Sequence, residues 1–299
     1  LFRAGVLHAE RLPVPVVVVG NLVVGGSGKT PLTLWIADAL RARGHAPGIV
    51  SRGYGGTERG PAEVPQGGDY RVYGDEPVLM AEAGTSPVWI GRRRAEAARA
   101  LLAAHPQCDV ILCDDGLQHY ALARDVEIAV VDARGHGNGF MLPAGPLREP
   151  PGRRVDAIVG HDAPGAFTMR LVPAGLSRVA DGAAVPLASL AGRRLHAVAA
   201  IGHPQRFFDT LASLGLAFTP HAFPDHHAFT PDDLAFDACD AVLMTAKDAV
   251  KCRAFGREDL FALHVAAEAD PALAEFITER IAWTRSSWTS SSARSARAR

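Results

Sequence analysis

The first clear hydrophobic pattern in the chain is a short, unbroken apolar run at Pro15–Asn21, with the sequence PVVVVGN. A valine-rich run of this length predicts a strand buried on both faces of a parallel sheet. A glycine-rich turn follows, and apolar residues then recur at helical spacing over Lys29–Arg43, until Gly44 ends the predicted helix. The chain therefore begins with a strand, a turn and a helix.

The same alternation continues over the next hundred residues. Apolar spacing over Arg94–Ala104 predicts a second helix, with short apolar runs before and after it. Strands that alternate with helices favour right-handed βαβ units, so this part of the chain predicts a doubly wound parallel α/β sheet. The further predicted strands are Gly48–Ser51, Pro87–Ile90, Val110–Cys113 and Ile128–Val131.

The pattern loosens around Asp162–Gly165, and a second series of strands and helices follows. We therefore predict two α/β domains, a larger one over 1–163 and a smaller one over 164–285, with a ligand-binding crevice that the smaller domain closes. Residues 286–299 form a Ser/Arg/Ala run without apolar periodicity, and we expect this tail to be disordered. The elements predicted in the second half are strands Thr168–Val172, Leu195–Ile201, Ala241–Thr245 and Leu260–Val265 and helices Pro204–Leu214 and Pro271–Ile281.

The composition of the chain excludes some classes of protein. A net formal charge of −1 gives no basic field of the kind that binds nucleic acid, so we expect no nucleic-acid partner. The four cysteines are scattered without a CxxC pair, which indicates a reducing, cytoplasmic compartment. No apolar run approaches the roughly 18 residues that a membrane-spanning helix needs.

The turn after the first strand, Val24–Thr30, reads VGGSGKT. Its glycines let backbone N–H groups approach phosphate oxygens at the start of a helix, where the helix dipole favours anions. Lys29 is expected to reach the β- and γ-phosphates of ATP, and the Thr30 hydroxyl to ligate Mg²⁺. Val23 stands where the strict P-loop pattern has glycine, but the strand–turn–helix context supports the interpretation. The predicted nucleotide-binding residues are Gly25, Gly26, Ser27, Gly28, Lys29 and Thr30.

A pair of acids ends another predicted strand. Val110–His119 reads VILCDDGLQH, which places Asp114 and Asp115 at the carboxyl end of a parallel strand. P-loop enzymes hold Mg²⁺ through a carboxylate at this position, directly or through water. The two adjacent acids, followed by Gln118 and His119, favour a functional site over a simple solvated turn.

Other motifs remain open to two interpretations. Asp75 and Glu76 in GDEP can be a helix cap and a first-turn acid, or functional groups. Arg52 in SRGYG is either a clamp for a phosphate or carboxylate or a surface arginine. In LPAGPLREP, Arg148 can meet an anion and Glu149 can complete a metal shell, or both can be loop charges.

The segment PDHHAF carries two adjacent histidines, ahead of a helix expected to open at Thr230. Neighbouring side chains of an extended chain point in opposite directions, so His226 and His227 do not predict a shared metal site. One of them can assist an acid–base step. TAKDAVK, at Thr245–Lys251, ends a strand where it can reach the base or phosphates of a nucleotide.

Taken together in this order, VGNLVVGGSGKTP, SRGYGG, GDEP, CDDGLQH, LPAGPLREP, FPDHHAF and MTAKDAVK resemble the tetraacyldisaccharide 4′-kinase family, from about Arg11 to Ile281. Members are P-loop kinases that use ATP and Mg²⁺ to phosphorylate the 4′-hydroxyl of a lipid A precursor. The resemblance implies a peripheral enzyme on the cytoplasmic face of the bacterial inner membrane, and we expect it to be a monomer.

The resemblance also assigns roles to individual residues. It implies that Asp75 is the catalytic base, paired with His226. It places the acidic residues Glu76, Asp115 and Glu149 in the metal shell beside Thr30. It makes Gln118 and His119 contacts to the disaccharide, and Arg52 and Arg148 are assigned to the substrate as well.

Two departures from the family stand out. Ala246 replaces the glutamate of the usual TEKD motif, and only Leu1–Glu10 precedes RLPVPV, where members carry an amphipathic membrane-associating helix. We therefore expect the sequence to be truncated at its start.

Two other classes of protein share parts of the pattern. A different P-loop kinase or ligase, such as a dethiobiotin-synthetase-like enzyme, would have the same loop and sheet but not DDGLQH with PDHH. A nucleotide-dependent switch or metallochaperone would need a lysine before the glycine pair, where Val24 stands, or a Cys/His cluster.

Overall fold

The computed structural model of the chain describes residues 7–297, with side chains as far as Thr284. The disordered tail expected over 286–299 lies outside the residues whose side chains are described, and it stays a prediction. The helices are α1 (Lys29–Arg41), α2 (Tyr70–Tyr73), α3 (Asp75–Glu82), α4 (Arg94–Ala104), α5 (Pro204–Ser213), α6 (Ala246–Cys252) and α7 (Pro271–Arg297). The strands are β1 (Val16–Gly20), β2 (Pro47–Ser51), β3 (Ala62–Glu63), β4 (Val88–Ile90), β5 (Val110–Asp114), β6 (Val126–Asp132), β7 (Ala157–His161), β8 (Phe167–Arg178), β9 (Ala184–Val185), β10 (Leu195–Ala199), β11 (Phe218–Ala222), β12 (Ala241–Thr245) and β13 (Leu260–Ala269).

Strand β1 is buried along its whole length, as the valine run predicts. Val17 and Val19 pack into one hydrophobic cluster with residues of α1, α3 and α7. Val16 and Val18 pack into a second cluster with residues of α4. Because successive side chains of a strand point to opposite faces, helices must cover both sides of the sheet. The prediction of a doubly wound α/β fold is confirmed.

All the strands of the described residues belong to one sheet, in the order β11-β10-β12-β13-β8-β7-β6-β1-β5-β2-β4-β3, with β9 paired to β8. Neighbouring strands are parallel except where β3 meets β4, β8 meets β9 and β8 meets β13. Strand β1 lies between β5 and β6, so the turn that follows it emerges at the carboxyl edge of a parallel sheet, where α/β proteins bind ligands.

The predicted boundary near residue 163 falls between β7 and β8. The two βα series nevertheless share the sheet, because β7 pairs with β8 and β8 runs antiparallel to β13 along nearly its whole length. Separate hydrophobic clusters lie on either face of the second series. The division into two domains stays a prediction.

The sequence did not reveal every element. Edge strand β11 contains Pro220 and lies mostly exposed, so it shows no apolar alternation. The helix expected to open at Thr230 is only a 3₁₀ turn at Asp232–Leu234. Among the described residues, no helix combines the length and the apolar character needed to cross a membrane.

Candidate active site

The glycine-rich turn between β1 and α1 has the backbone that a phosphate-binding loop requires. Gly28 has a φ of 91°, and a Cβ there would lie 2.7 Å from Met169 Cε and 3.0 Å from His161 Nδ1. The buried His161 ring makes a 2.8 Å hydrogen bond through Nδ1 to the Ser27 carbonyl oxygen. His161, at the end of β7, and Met169, on β8, therefore pack against the loop. Only glycine fits at position 28.

Lys29 extends from the start of α1 toward the neighbouring strand ends. Its Nζ donates to Asn21 Oδ1 at 3.2 Å and lies 3.5 Å from Asp115 Oδ1. Asn21 in turn donates from Nδ2 to the Gly25 carbonyl oxygen at 3.2 Å. Asn21 thus links the lysine to the loop backbone. Sequence reasoning did not single it out, although it directly follows β1 and precedes the loop by only two residues.

Asp114 lies buried at the end of β5 and accepts two hydroxyl hydrogen bonds. Thr30 Oγ1 donates to its Oδ2 at 3.2 Å, and Thr33 Oγ1 donates to its Oδ1 at 3.0 Å. Burial, together with the negative charges of Glu76 and Asp115, raises the pKa of Asp114 to about 7. The Thr30 hydroxyl thus lies beside a buried carboxylate, and a cation there would relieve the repulsion of Asp114 by Glu76 and Asp115.

Oxygen donors of this kind suit Mg²⁺, which is usually held by one or two carboxylates, water and substrate phosphates. Within the described residues, no three or more His, Cys, Asp and Glu side chains lie close enough to share a metal ion. The donor set fits a magnesium ion that arrives with the nucleotide.

Asp115 adopts a left-handed backbone conformation, with a φ of 48°. Arg148 Nη1 donates to both of its carboxylate oxygens, at 2.7 and 2.9 Å. Burial alone would raise the pKa of Asp115, but the charges of Lys29 and Arg148 outweigh it and lower that pKa. The backbone N–H of Arg148 donates to the Leu22 carbonyl at 2.7 Å, which fixes this arginine beside the phosphate-binding loop.

Glu149 lies buried among polar partners. Its Oε1 accepts from Gln118 Nε2 at 3.0 Å, the Tyr120 hydroxyl donates to its Oε2, and Arg153 Nε lies 2.8 Å from Oε2. Gln118 also donates to the Asn21 carbonyl oxygen at 3.2 Å. The structure therefore connects Glu149 and Gln118 to each other and to the strand end. Their assignments to the metal shell and to the sugar stay predictions.

Asp75 and His226 come together although 151 residues separate them. Asp75, the first residue of α3, is buried, and its Oδ2 lies 3.0 Å from His226 Nδ1. Its Oδ1 accepts the backbone N–H of Glu76 at 2.9 Å, which orients the carboxylate. His227 turns away and bonds Asp233 Oδ2 through Nε2 at 3.1 Å. The two histidines thus contact different carboxylates, although His226 has a φ of 61° and does not lie in the extended chain that the prediction assumed.

Burial would raise the pKa of Asp75, but the hydrogen bond from His226 and the charges of Lys247 and Lys251 outweigh it, and the pKa is lowered. The same hydrogen bond raises the pKa of His226, against the effects of burial and of Lys247. The aspartate is therefore ionised at neutral pH and holds the imidazole beside it. The Tyr54 ring packs against the imidazole with centroids 5.0 Å apart.

Lys247, on α6, lies among three carboxylates. The sequence did not predict that these residues come together. Its Nζ is 3.2 Å from Glu76 Oε1, 3.5 Å from Asp225 Oδ1 and 4.0 Å from Asp75 Oδ2. It also lies 3.5 Å from His226 Nε2. These carboxylates outweigh the desolvation of the lysine and raise its pKa. The Lys247 ammonium group thus lies within 4.0 Å of both Asp75 and His226.

A capping arrangement places α6 at this position. The Thr245 hydroxyl accepts the Asp248 backbone N–H at 3.1 Å, and Asp248 Oδ2 accepts the Ala200 backbone N–H at 2.9 Å. Lys251, one helical turn after Lys247, is buried, with Nζ 2.8 Å from Asp248 Oδ1 and 3.7 Å from Asp75 Oδ2. The i, i+4 spacing of the two lysines was the signal in the sequence that they share a helix face.

Arg52 lies near enough to His119 for its charge to act on the imidazole. His119 Nε2 accepts the Arg94 backbone N–H at 3.3 Å. Burial and the charges of Arg94, Arg124 and Arg52 lower the pKa of His119 to about 4. The ring is therefore a neutral imidazole at physiological pH, able to form hydrogen bonds with a polar ligand. Arg52 itself is exposed.

Comparison with known proteins gives one consistent answer. The sequence profile of the family described as Tetraacyldisaccharide-1-P 4′-kinase matches residues 1–282. A tetraacyldisaccharide 4′-kinase of Azoarcus sp. (strain BH72) is 54% identical, over 94% of this chain and 86% of the relative. One from Aromatoleum aromaticum is 52% identical, over 94% and 88% of the two chains.

A crystal structure of LpxK from Aquifex aeolicus in complex with ATP is similar throughout. It superposes with a TM-score of 0.78 at 32% sequence identity, covering 94% of this chain and 93% of that one. The fold and the family profile agree. The chain belongs to the tetraacyldisaccharide-1-P 4′-kinase family.

Proposed function

We propose that this chain transfers the γ-phosphoryl group of ATP to the 4′-hydroxyl of a tetraacyldisaccharide 1-phosphate, the acceptor for which its family is named. The observation that carries the proposal is the 3.0 Å contact between Asp75 and His226, in a fold whose neighbour binds ATP. Helix α3, which begins at Asp75, packs against α1, the helix that follows the phosphate-binding loop.

In the proposed reaction, the loop backbone and Lys29 bind and orient the β- and γ-phosphates. Asp75 accepts the proton of the attacking hydroxyl as its oxygen approaches the phosphorus. His226 keeps the carboxylate oriented through Nδ1 and stabilises the charge that shifts during proton transfer. Thr30 and the neighbouring carboxylates would hold Mg²⁺, which when bound neutralises negative charge on the phosphates.

The second half of the chain contributes His226, Lys247 and Asp225, whereas Asp75 and Glu76 come from the first. Assembly of the site thus depends on contact between the halves, and α3 packs against α6. We propose that ATP and the acceptor favour this closed arrangement, which excludes water and limits wasteful hydrolysis.

We also propose that the protein acts as a monomer at the cytoplasmic face of the bacterial inner membrane, without crossing it. An acceptor with four acyl chains resides in a bilayer, so the enzyme must bind to the surface where its substrate lies. The N-terminal segment Leu1–Glu10, which the resemblance associates with the membrane, lies largely outside the described residues. Free thiols on all four cysteines are compatible with a cytoplasmic location.

Radiolabel transfer from ATP to tetraacyldisaccharide 1-phosphate in detergent micelles tests the proposed activity. We expect acceptor-dependent, Mg²⁺-dependent labelling of the lipid and little ATP hydrolysis without acceptor. ATP hydrolysis at the same rate with and without the lipid, and no labelled lipid, would indicate a nucleotide-dependent switch. Transfer to a different small molecule would indicate another kinase on the same scaffold.

Lys247→Met is expected to lower kcat about tenfold near neutral pH and to move the acid limb of the kcat profile to higher pH. Lys247 is among the groups that lower the pKa of Asp75, so its loss raises that pKa. The base is active only when deprotonated, and activity would then be lost at a higher pH as the solution is acidified. Measurement of kcat between pH 5 and 9 gives the shift.

Two variants control for this experiment. Lys247→Arg keeps the positive charge and should keep the profile close to that of the unaltered chain. Arg253→Met removes a nearby cation that pairs with Glu82 instead of the Asp75–His226 pair. An unshifted profile in folded Lys247→Met would show that the lysine only connects the two halves.

A further inference from the structure

An uncharged loop with exposed apolar side chains lies between β6 and β7. Residues 136–146, called here the apolar loop, read HGNGFMLPAGP and contain no Asp, Glu, Lys or Arg. Three consecutive large side chains at its tip are exposed: Phe140 by 63%, Met141 by 45% and Leu142 by 55%. Single exposed apolar residues are common on proteins, but three together at a loop tip indicate a binding surface.

The apolar loop is folded on itself. Leu147 N donates to the Phe140 carbonyl at 3.1 Å, Leu142 N donates to the Leu147 carbonyl at 2.9 Å, and Gly145 N donates to the Met141 carbonyl at 3.0 Å. Asn138 adds hydrogen bonds to the Ala144 carbonyl and from the Phe140 N–H. The side chains are therefore exposed by a defined backbone fold. Much of the backbone at the tip has its hydrogen bonds satisfied within the loop, which lowers the cost of entering an apolar medium.

The base of the apolar loop is attached to the active site. Val24, in the phosphate-binding turn, donates its N–H to the Pro146 carbonyl at 2.9 Å. Leu147 is fully buried, and the next residue is Arg148, which holds Asp115. A ligand bound at the tip would thus contact a segment that is joined, within a few residues of the chain, to the groups proposed to bind the acceptor and the phosphates.

We propose that the apolar loop inserts into the lipid surface that carries the acceptor, with Phe140, Met141 and Leu142 among the acyl chains. The inference rests on the proposed function, because a tetraacylated acceptor is what brings an apolar medium to this side of the enzyme. The disaccharide headgroup would then lie at the height of Arg148 while its chains remain in the bilayer. The absence of charge over eleven residues fits the acyl region better than a headgroup layer.

The proposal is tested by sedimentation of the full chain with vesicles of phosphatidylethanolamine and phosphatidylglycerol. Phe140→Ser is expected to weaken partitioning about tenfold, because one large apolar side chain no longer leaves water. Trp283→Ser is the matched control, since it removes another exposed aromatic, on α7. That control should partition like the unaltered chain. The apparent KM for the lipid in mixed micelles should rise for Phe140→Ser only.

A fluorophore gives a second, independent measurement. An environment-sensitive label on Phe140→Cys should brighten and shift to the blue with vesicles, whereas the same label on Trp283→Cys should not. The native thiols interfere little, because three of them are buried and Cys239 is half-buried. Equal partitioning of Phe140→Ser and the unaltered chain, with no change at the label, would overturn the role of the loop alone. An unaltered chain that binds no vesicles would overturn the proposed membrane association as well.

Discussion

Lys29→Met is expected to reduce kcat at least a hundredfold while the protein remains folded. The lysine amine is placed between Asn21 and Asp115, at the start of α1, where transferring phosphoryl charge would develop. Loss of one such electrostatic contact in an active site typically costs about 3 kcal/mol of transition-state stabilisation, near a hundredfold or more in rate. Steady-state transfer to the lipid acceptor, measured at saturating ATP, gives the change.

The same replacement should disturb the fold little. Arg148 still neutralises Asp115 in Lys29→Met, and the hydrophobic face of α1 is unchanged. Arg41→Met removes a cation from the far end of the same helix and should retain full activity. If Lys29→Met were folded and within about threefold of the unaltered rate, the assignment of the loop to phosphate binding would be wrong.

The parts of the site that the sequence predicted are those built from neighbouring residues. The phosphate-binding loop follows from a buried strand, three glycines and a helix start within fifteen residues. Asp114 and Asp115 follow from an apolar run that stops at a strand end. In both cases the pattern of neighbouring residues determines the local geometry. The sheet then places the two strand ends side by side, because β1 pairs with β5.

Contacts between distant segments could not be derived in this way. Local pattern left Asp75 as a helix cap or a functional acid, and its pairing with His226 entered only through the resemblance to the family. Lys247 was noted in its motif, but its partners lie in other segments, so no spacing indicates them. The antiparallel pairing of β8 with β13, which joins the two series in one sheet, is equally invisible to local pattern.

The geometry also shows why isolated motifs were ambiguous. Asp75 is the first helical residue of α3, whose N-cap is Gly74, and its Oδ1 accepts the Glu76 backbone N–H while its Oδ2 meets His226. The N-cap interpretation of Asp75 is therefore wrong, and its functional interpretation stays a prediction. Function and local stability draw on different atoms of one carboxylate, and only measurements on the coupled pair can separate them.

A double-mutant cycle on Asp75→Ala and His226→Ala is expected to be strongly non-additive in kcat. A positioned general base contributes roughly 10²–10⁴-fold to rate, and the imidazole acts through that base. Asp75→Ala, His226→Ala and the double variant should therefore lose similar amounts of kcat, because removal of one member already disables the pair. Single-turnover transfer isolates this loss from product release.

The neighbouring histidine provides the matched control. His227 faces Asp233 and stacks on Phe223, away from the carboxylate of Asp75. His227→Ala should leave kcat nearly unchanged, and its cycle with Asp75→Ala should be additive. If the Asp75–His226 cycle were additive as well, the two residues would not act as a unit. The base would then have to be sought at Asp114, whose pKa of about 7 already lies near the pH at which a general base works best.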